Sequence, residues 1–392
     1  MSKLITRCVA VFSAVTFAAC GGVDRDEQQV SNANRLFTQT NESDNAVLVF
    51  SRNQDGTLSP ATRVSTGGRG TNGENFLMGG KVEPDSLASN HSVIVTSDQR
   101  YLFVVNSGDA TVSTFSLDLG TRMPRLMRVS ATGGERPTSL AYSNGILYVT
   151  HQTGEQQLRA YRVESNGVLT QIGAYTVVQA NALPTSVTTS PDGTAVVVNV
   201  PFAGPGGAEL NRIVTFPVQS DGRLGAALSI SSQSPVPFGG LFARDGLKSV
   251  FVSANASGSL NTYTLSRSTL QSLSGPVVSG ENAACWIAIT PDNRFVYVGN
   301  GAGTVSSYSL DANGRAALLN AVAALEPAVN GQATSLAGDS WISPDGKYLY
   351  QGYLGADKVV AYAIESEGSL RKLGEQPAHT ASGVSLQGMA GV

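Results

Sequence analysis

Short runs in which apolar and polar residues alternate recur along the whole chain, and turn dipeptides separate them. The stretch "TPDNRFVYVGNGAGTVSSYSLDANG", which begins at Thr290, contains a turn, an apolar run, a gap and a second run that ends on an aromatic residue. Similar units begin at Thr96 and Ser340. Alternation with a period of two is typical of β-strands, and Asp-Gly or Asn-Gly pairs are typical of hairpin turns. The pattern therefore predicts β-hairpins that repeat along the chain.

The repeat occurs seven times, at intervals of 45 to 65 residues. The aromatic residues that end the second runs are Phe50, Phe115, Tyr161, Phe216, Tyr263, Tyr308 and Tyr362. An inner strand such as 185–190 precedes a first run, and an outer strand such as the one near 222–227 follows a second run. Seven four-stranded antiparallel sheets that stand radially cover one another's faces. We therefore predict an all-β, seven-bladed β-propeller over residues 34–392, with the seven aromatic residues packed between blades.

The two ends of the repeat region are complementary. The chain after residue 33 starts at the second strand of a blade, so the inner strand of that blade is missing. The C-terminal run "GVSLQGMAGV", residues 383–392, has the length and alternation of such a strand. We predict that this C-terminal strand joins the N-terminal blade and closes the ring.

The N-terminus carries Lys3 and Arg7, followed by an apolar run over residues 8–19. Twelve apolar residues are too few to span a bilayer, which needs about 20, but they suit the core of a signal peptide. The run ends at "FAAC", which resembles the lipobox of bacterial lipoproteins and would make Cys20 the lipidated residue. An ordinary secretory signal that is cleaved nearby is the alternative.

The lipobox resemblance implies a domain organisation and a location. Residues 1–20 would be the lipoprotein signal peptide with its lipidated cysteine, and residues 21–33 a flexible tether. The lipid anchor would then be the only contact with the membrane. Gly21 follows the cysteine, and the absence of Asp there favours the outer membrane over the inner one. We therefore expect a monomeric lipoprotein that faces the periplasm.

Composition excludes several kinds of partner and cofactor. Charged residues make up 14% of the chain and the net charge is −3, so no basic patch points to nucleic acid. Cys285 is the only cysteine beyond residue 20, so no intrachain disulfide can form in the mature protein. Three scattered histidines disfavour a zinc site, and no cofactor is predicted. A Ca²⁺ ion held by Asp, Asn and carbonyl oxygens near the central channel stays open.

The chain resembles the lactonase-type seven-bladed propellers, which include 6-phosphogluconolactonase and the carboxymuconate-cyclising enzymes. The phrases that carry the resemblance are "VFSRNQDGTL", "STGGRGTNG", "RYLFVVNSGDATVSTFSL", "VPFGGLFARDG" and "ACWIAITPDNRFVYVGN". The resemblance spans about residues 34–392, and its phrases are more specific for the architecture than for the chemistry, because propellers carry many functions. The resemblance implies lactone hydrolysis by a histidine, an arginine and a glutamate on one face of the ring.

Loops that enter inner strands and loops that leave second strands crowd one face of a propeller around its channel, and this face is the default pocket. Two Gly-rich loops, 65–90 and 200–212, are long enough to cover it. The repeat register places three candidate catalytic residues there: His91, Arg136 and His151. It also places seven candidate ligand-binding residues there: Asn106, Asn199, Glu281, Trp286, Asn300, Asp339 and Trp341.

A histidine with a near-neutral pKa can deprotonate an attacking water, which suits His91 or His151. Arg136 can hold a substrate carboxylate or an oxygen that gains charge. Structural roles are open for all of these residues: a histidine can cap a loop or bond a carbonyl, asparagines can satisfy loop amides, and the tryptophans can pack in the channel rather than stack on a ligand.

Two functions follow from these residues. The first is a lactonase-like hydrolase that acts on a small-molecule cyclic ester at the channel face. The second is a non-catalytic propeller lipoprotein whose face binds a protein, a glycan or a small ligand of the cell envelope. Asparagine, glycine and tryptophan dominate the predicted face, and titratable pairs are few, so the sequence leaves both functions open.

Overall fold

The computed structural model describes residues 33–329 and 331–392 as seven four-stranded antiparallel sheets and one short extra hairpin. The predicted all-β, seven-bladed propeller is therefore confirmed. The predicted signal peptide, Cys20 and the tether up to residue 32 lie outside the described residues. Within the described part of the chain, no helix is long and apolar enough to cross a membrane.

The four strands of each blade follow one another from the centre of the ring to its rim. The inner strands are β6 (Val93–Val95), β10 (Glu135–Ser143), β14 (Ser186–Thr189), β18 (Pro237–Phe242), β22 (Ala284–Ile289), β26 (Ala337–Ile342) and β30 (Gln387–Gly391). The second strands are β1 (Arg35–Gln39), β7 (Tyr101–Asn106), β11 (Ile146–Thr153), β15 (Ala195–Phe202), β19 (Val250–Asn255), β23 (Phe295–Asn300) and β27 (Tyr348–Tyr353).

The remaining strands complete the blades. The third strands are β2 (Ala46–Ser51), β8 (Thr111–Leu117), β12 (Leu158–Val163), β16 (Glu209–Pro217), β20 (Ser259–Ser266), β24 (Thr304–Leu310) and β28 (Lys358–Ile364). The outer strands are β3 (Thr62–Ser65), β9 (Pro124–Ala131), β13 (Leu169–Tyr175), β17 (Leu228–Ser231), β21 (Thr269–Val278), β25 (Ala316–Leu325) and β29 (Leu370–Pro377). The extra hairpin is β4 (Glu74–Asn75) with β5 (Lys81–Val82), and two 3₁₀ turns span Asp245–Leu247 and Leu354–Ala356.

One side-chain motif forms the turn between inner and second strands in four of the blades. A Ser or Thr hydroxyl donates to the Asp carboxylate two residues later, as from Thr290 to Asp292 at 2.6 Å. The same carboxylate accepts the backbone N–H two residues further on, here that of Arg294 at 3.0 Å. The equivalent hydroxyl–carboxylate pairs are Thr96–Asp98, Ser190–Asp192 and Ser343–Asp345. These bonds satisfy the turn backbone and explain why the phrase recurs.

Seven hydrophobic clusters of the described residues hold the blades together. Six lie between two neighbouring blades, and the seventh lies between the seventh and first blades and extends to Phe238 and Trp286 of the fifth and sixth. The aromatic residue that ends each third strand packs against the preceding blade. Tyr161 of the third blade, for example, shares a cluster with Phe103 and Val105 of the second. All seven of these aromatic side chains are at most 3% exposed, which confirms their predicted structural role. Because burying one such ring contributes roughly 1.5–3 kcal/mol, they account for much of the stability of the ring.

The first and last segments of the propeller meet in one blade, as the sequence predicts. Strand β30 pairs antiparallel with β1, and Phe37 lies opposite Ala390. The Thr38 hydroxyl donates to the Gln387 carbonyl at 2.8 Å. The Arg52 side chain donates to the carbonyl of Val392 at 2.8 Å. One C-terminal strand therefore completes three N-terminal strands, so that the ring is closed.

Two local predictions are wrong. The outer strand of the fourth blade begins at Leu228, whereas the predicted residues 222–227 are irregular: Gly222 ends a turn with φ +86°, Leu224 makes an isolated bridge to Val218, and the Gly225 backbone N–H donates to the Pro217 carbonyl at 2.8 Å. The loop predicted over 200–212 is mostly strand, because β15 continues to Phe202 and β16 begins at Glu209. In the second place backbone pairing continues across glycine-rich sequence that is typical of a loop.

We predict that the closing strand tolerates no side chain at Gly388. This residue has φ +68°, and a Cβ there would lie 2.4 Å from the Ser92 hydroxyl and 2.9 Å from the Val93 amide. Gly388→Ala should lower the free energy of unfolding by about 2–4 kcal/mol, because backbone strain and overpacking add. Denaturant unfolding measures this loss.

The matched control is Gly383→Ala on the same C-terminal segment. Gly383 has a similar φ of +71°, but no atom lies within 4 Å of a Cβ placed there. Only the backbone strain remains, so the loss should be about 1 kcal/mol. Equal losses for the two variants would contradict the tight packing of β30 against β6.

Candidate functional site

All inner strands run in the same direction, so the propeller has an upper face, where the chain enters these strands, and a lower face, where it leaves them. The upper face therefore carries the loops that the sequence predicts as the site. One cavity lies along the axis of the propeller, and a second lies beside the axis on the upper face. A short piece of chain lies between the two cavities. We call this piece, residues 85–91, the hub segment.

The hub segment crosses the upper end of the central channel and touches blades all round the ring. Its Ser89 hydroxyl donates to the Thr138 carbonyl of the third blade at 2.9 Å. The backbone N–H of Asn90 donates to the carbonyl of Thr185, which precedes the fourth blade, at 2.9 Å. The Trp286 indole of the sixth blade donates to the Ser89 carbonyl at 3.1 Å. The last six residues of the predicted loop 65–90 therefore cover this face, as part of the hub segment.

The hub segment carries one carboxyl group, that of Asp85, and contacts a second, that of Asp339. Asp339 is 5% exposed, and its two oxygens accept the backbone N–H groups of His91 at 3.2 Å and Gly388 at 3.1 Å. Burial raises the pKa of the Asp339 carboxyl to about 7, although the two accepted N–H groups lower it. Burial, and then the charge of Asp339, raise the pKa of Asp85 well above its usual value. The amide of Gln387 lies close enough to Asp85 to lower that pKa.

The channel cavity lies below the hub segment and has a volume of about 220 Å³. Its walls are mostly aliphatic side chains of five inner strands: β6, β18, β22, β26 and β30. His91 lies towards its upper end, the exposed Arg244 follows β18 at its lower end, and Trp341 forms part of the wall. Ser340 also lines it and has a buried hydroxyl without a partner. This cavity is therefore narrow and largely apolar.

The upper cavity lies on the upper face between the first three blades and has a volume of about 500 Å³. Five charged residues line it, namely Arg69, Glu74, Asp109, Glu135 and Arg136. Polar residues and two glycines make up most of the remainder. A cavity of this size that contains both guanidinium and carboxylate groups suits a small, polar ligand.

Two glycines allow the loops of the upper cavity to meet. A Cβ on Gly108 would lie 2.2 Å from the Gly70 carbonyl oxygen, so only glycine permits this approach. The Gly108 amide donates to the Arg69 carbonyl at 2.9 Å, and the Asp109 carboxylate accepts the Arg69 backbone N–H at 3.0 Å. The "STGGRGTNG" phrase thus fixes the backbone that carries Arg69.

Arg136 occupies a constrained position at the start of β10. Its φ is +53°, in the left-handed region that costs a non-glycine residue of order 1–3 kcal/mol. Its guanidinium carbon lies 4.2 Å from the centre of the Phe76 ring, which holds the side chain by a cation–π contact. Within the described residues Arg136 forms no salt bridge. Its N–H donors are therefore available to a ligand.

The three predicted catalytic residues do not line a common cavity. His91 lines the channel cavity and Arg136 lines the upper cavity. His151 is fully buried; its Nδ1–H group donates to the Gln157 carbonyl at 3.1 Å, and its Nε2 atom has no partner. Burial lowers the pKa of His91 and of His151 to about 4, so both imidazoles are neutral at pH 7.

The three predicted asparagines brace neighbouring strands. Asn106 and Asn300 are fully buried and donate to Ser113 at 2.8 Å and Ser306 at 2.9 Å in the third strands of their own blades. Asn199 is also fully buried and donates to Ser253 of the next blade at 3.1 Å. Their side chains make structural hydrogen bonds at strand ends, which agrees with the structural role that the sequence left open for them.

The remaining predicted ligand residues lie apart from the upper cavity. Trp286, Asp339 and Trp341 are within inner strands rather than in the loops that precede them, because β22 and β26 begin at Ala284 and Ala337. Trp286 is 2% exposed and packs under the hub segment. Glu281 accepts the Thr304 hydroxyl at 2.6 Å between strands of the sixth blade.

Sequence reasoning missed most of the charged residues that the upper cavity brings together. Arg69 and Glu74 lie in the Gly-rich loop 65–90, whose length is a signal of function, but no motif distinguishes them within it. Asp109 lies in a turn that leaves a second strand. Several of the candidate ligand-binding residues are predicted in turns of this kind, so the same signal applies to Asp109. In the described part of the chain, no three His, Cys, Asp or Glu side chains lie close enough to hold a metal ion.

Comparisons with known proteins agree with the observed fold. A 6-phosphogluconolactonase of Pectobacterium carotovorum is 25% identical over 293 residues, which are 72% of this chain and 82% of that protein. The periplasmic gluconolactonase of Pseudomonas aeruginosa has a TM-score of 0.67 at 17% identity, over 92% of this chain and 99% of the other. A Lactobacillus plantarum protein also has a TM-score of 0.67, at 14% identity, over 92% of this chain and all of the other.

The two solved structures are less than 25% identical to this chain, so they show the fold alone. The family profile described as "Lactonase, 7-bladed beta-propeller" matches residues 21–188 and 211–384. These two segments make up most of the chain and include strands from all seven blades. The protein therefore belongs to the seven-bladed β-propeller lactonase family.

Proposed function

We propose that the protein is a lactonase-like hydrolase that opens a small, polar cyclic ester in the upper cavity. The observation that supports this most is the charged lining of that cavity, in which Arg136 and Arg69 face the same space as Glu74 and Glu135. Family membership supplies the reaction class. The upper cavity is the larger of the two cavities described, and its lining is polar.

The proposed reaction adds water to the ring carbonyl carbon. Arg136 holds the carbonyl oxygen as it gains negative charge, because a fixed donor is most useful where charge develops. A cavity carboxylate, Glu74 or Glu135, accepts the proton of the attacking water. The Thr153 hydroxyl donates to Glu135 at 2.9 Å and orients that carboxylate. The ring C–O bond then breaks, the ring oxygen takes the proton, and the product is a hydroxy acid.

The general-base role predicted for His91 stays a prediction. Its imidazole lines the channel cavity, whereas Arg136 lines the upper cavity, so the two side chains do not face the same space. His151 is fully buried and lines neither the channel cavity nor the upper cavity. The proposal therefore uses the arginine and the carboxylates of the upper cavity rather than either histidine.

A second function is favoured by one observation. The hub segment closes the channel from above, and no histidine lines the upper cavity. A non-catalytic envelope lipoprotein that binds a small molecule, a glycan or a protein on the upper face would need no general base. This alternative keeps the same cavity and differs only in the absence of turnover.

An assay of purified full-length protein against a panel of polar lactones tests the enzymatic proposal. Arg136→Gln should lower kcat/KM by about 10²-fold, the typical effect of removing one oxyanion donor. Arg223→Gln is the matched control, because Arg223 is an exposed arginine of the fourth blade that pairs with Asp221 away from the upper cavity. Its activity should stay within about twofold of the wild type.

The outcomes separate the proposals. Loss in Arg136→Gln with intact folding, together with loss in Glu74→Gln or Glu135→Gln, supports hydrolysis in the upper cavity. Loss in His91→Ala alone would move the reaction to the channel cavity and contradict the proposed site. Binding of a lactone without turnover in any variant would favour the non-catalytic function.

We also propose that the protein is a lipoprotein that faces the periplasm and sits in the outer membrane. The N-terminal signal and "FAAC" support this location, and the similar gluconolactonase of Pseudomonas aeruginosa is described as periplasmic. Export argues against 6-phosphogluconolactone as substrate, because a sugar phosphate of this kind is cytoplasmic.

Replacement of Cys20 by Ser tests the anchor. The wild-type protein should sediment with membranes, in the outer-membrane fraction of a density gradient, and should carry acyl chains by mass spectrometry. Cys20→Ser should release it into the soluble fraction, because the thiol that takes the lipid is gone. A wild-type protein that is already soluble and unacylated would establish the ordinary secretory signal instead.

A further inference from the structure

A group of buried polar atoms at the hub has no hydrogen-bond partner in the described residues. Gln387, in the closing strand β30, is 0% exposed, and neither its amide oxygen nor its amide nitrogen is bonded. The Oδ1 atom of Asp85 is buried without a partner as well. Because more than nine in ten buried polar groups are normally bonded, such a group requires an explanation.

The unbonded amide and two carboxylates share one place in the fold. Asp339 accepts the backbone N–H of His91 in the hub segment at 3.2 Å and that of Gly388, the neighbour of Gln387, at 3.1 Å. The Asp85 side chain lies close enough to Asp339 and to the Gln387 amide for both to act on its pKa. Asp85 belongs to the hub segment, Asp339 to β26 of the seventh blade and Gln387 to β30 of the first blade. Three pieces of chain that are remote in sequence therefore place oxygen-bearing side chains in the same region.

No cationic side chain pairs with the two carboxyl groups of this region. Among the salt bridges of the described residues, none includes Asp85 or Asp339. Asp339 accepts only backbone N–H groups, from His91 and Gly388. Buried carboxylates are normally paired with cations or bound to metal ions, because an isolated buried charge is strongly unfavourable. A divalent cation would balance two carboxylates.

We propose that the hub binds one Ca²⁺ ion between the carboxylates of Asp85 and Asp339 and the amide oxygen of Gln387. All three ligands are oxygen atoms, the donor type that Ca²⁺ takes, and the site offers no imidazole of the kind that zinc favours. Ca²⁺ accepts irregular sets of six to eight oxygens, which carbonyls and waters complete, whereas Mg²⁺ demands near-octahedral geometry. The irregular origin of these ligands therefore favours Ca²⁺.

The proposed ion would join the hub segment to the two strands beside the closure. It would link the upper end of β30 to β26 on one side and to the hub segment, which leads into β6, on the other. Binding would thereby stabilise the closed ring and hold the hub segment over the channel. This role is independent of lactone hydrolysis in the upper cavity.

Thermal unfolding of the full-length protein, stripped with EDTA and then titrated with Ca²⁺, tests the proposal. At a hundredfold excess over the dissociation constant, the wild-type Tm should rise by roughly 4 °C, since a ligand that binds only the folded state stabilises it. Metal analysis of the dialysed protein should find one Ca²⁺ per chain. An unchanged Tm together with no bound Ca²⁺ would overturn the proposal.

Substitutions at the ligands locate the effect. Asp85→Asn and Asp339→Asn should abolish the Tm shift, because each removes one of two charged ligands. Glu367→Gln is the control, since Glu367 is an exposed acid in the turn before β29 and should leave the shift unchanged. A shift that persists in both aspartate variants would place the ion elsewhere and overturn the assignment.

A gain-of-affinity variant keeps the test decisive if the aspartate variants fail to fold. Gln387→Glu adds a third carboxylate, so it should tighten Ca²⁺ binding by about tenfold while lowering Tm in EDTA. Weaker Ca²⁺ binding in this variant would contradict the site. Mg²⁺ at the same concentration should give less than half of the Ca²⁺ shift, and an equal shift would overturn the choice of ion.

Discussion

The structure depends on the antiparallel pairing of the last strand with the first. Each four-stranded blade buries its faces only against two neighbours, so an open ring would leave two apolar sheet faces in water. Strand β30 completes the N-terminal blade through its pairing with β1, and its inner position brings it against β26 and β6. The seven interblade clusters and the position of the hub follow from this closure.

Closure also divides the axis of the propeller into two chemically different compartments. Below the hub segment the inner strands form a narrow, mainly aliphatic channel, where burial keeps His91 neutral. Beside the hub, the upper face carries a larger cavity with two guanidinium and three carboxylate groups. Reaction with a polar lactone fits the second compartment, because water and charge are stable there. Membership of the lactonase family suggests the class of reaction, and the charged lining of the upper cavity suggests where that reaction takes place.

The fold was predictable because its signals are local and repeated. The Ser/Thr–Asp turns, the aromatic residue at the end of each third strand and the incomplete first blade all appear as short patterns. The site was less predictable. The repeat register shows at which end of a blade a residue lies, but it does not show which other residues surround it. His91 and Arg136 occupy corresponding positions on adjacent blades, yet the hub segment separates their cavities. Gln387 and Asp85 meet only because the ring closes, which no local pattern encodes.

Hydrogen exchange of backbone amides tests the closure most directly. If β30 is a full member of the first blade, amides of Met389 and Ala390 should exchange as slowly as those of Tyr297 and Val298, which lie in the middle of the sixth blade. Exchange in β1 should then slow to the same rate, because opening either strand requires global unfolding. Exchange of the β30 amides that is orders of magnitude faster, with the sixth blade still protected, would contradict a ring closed by its terminal strand.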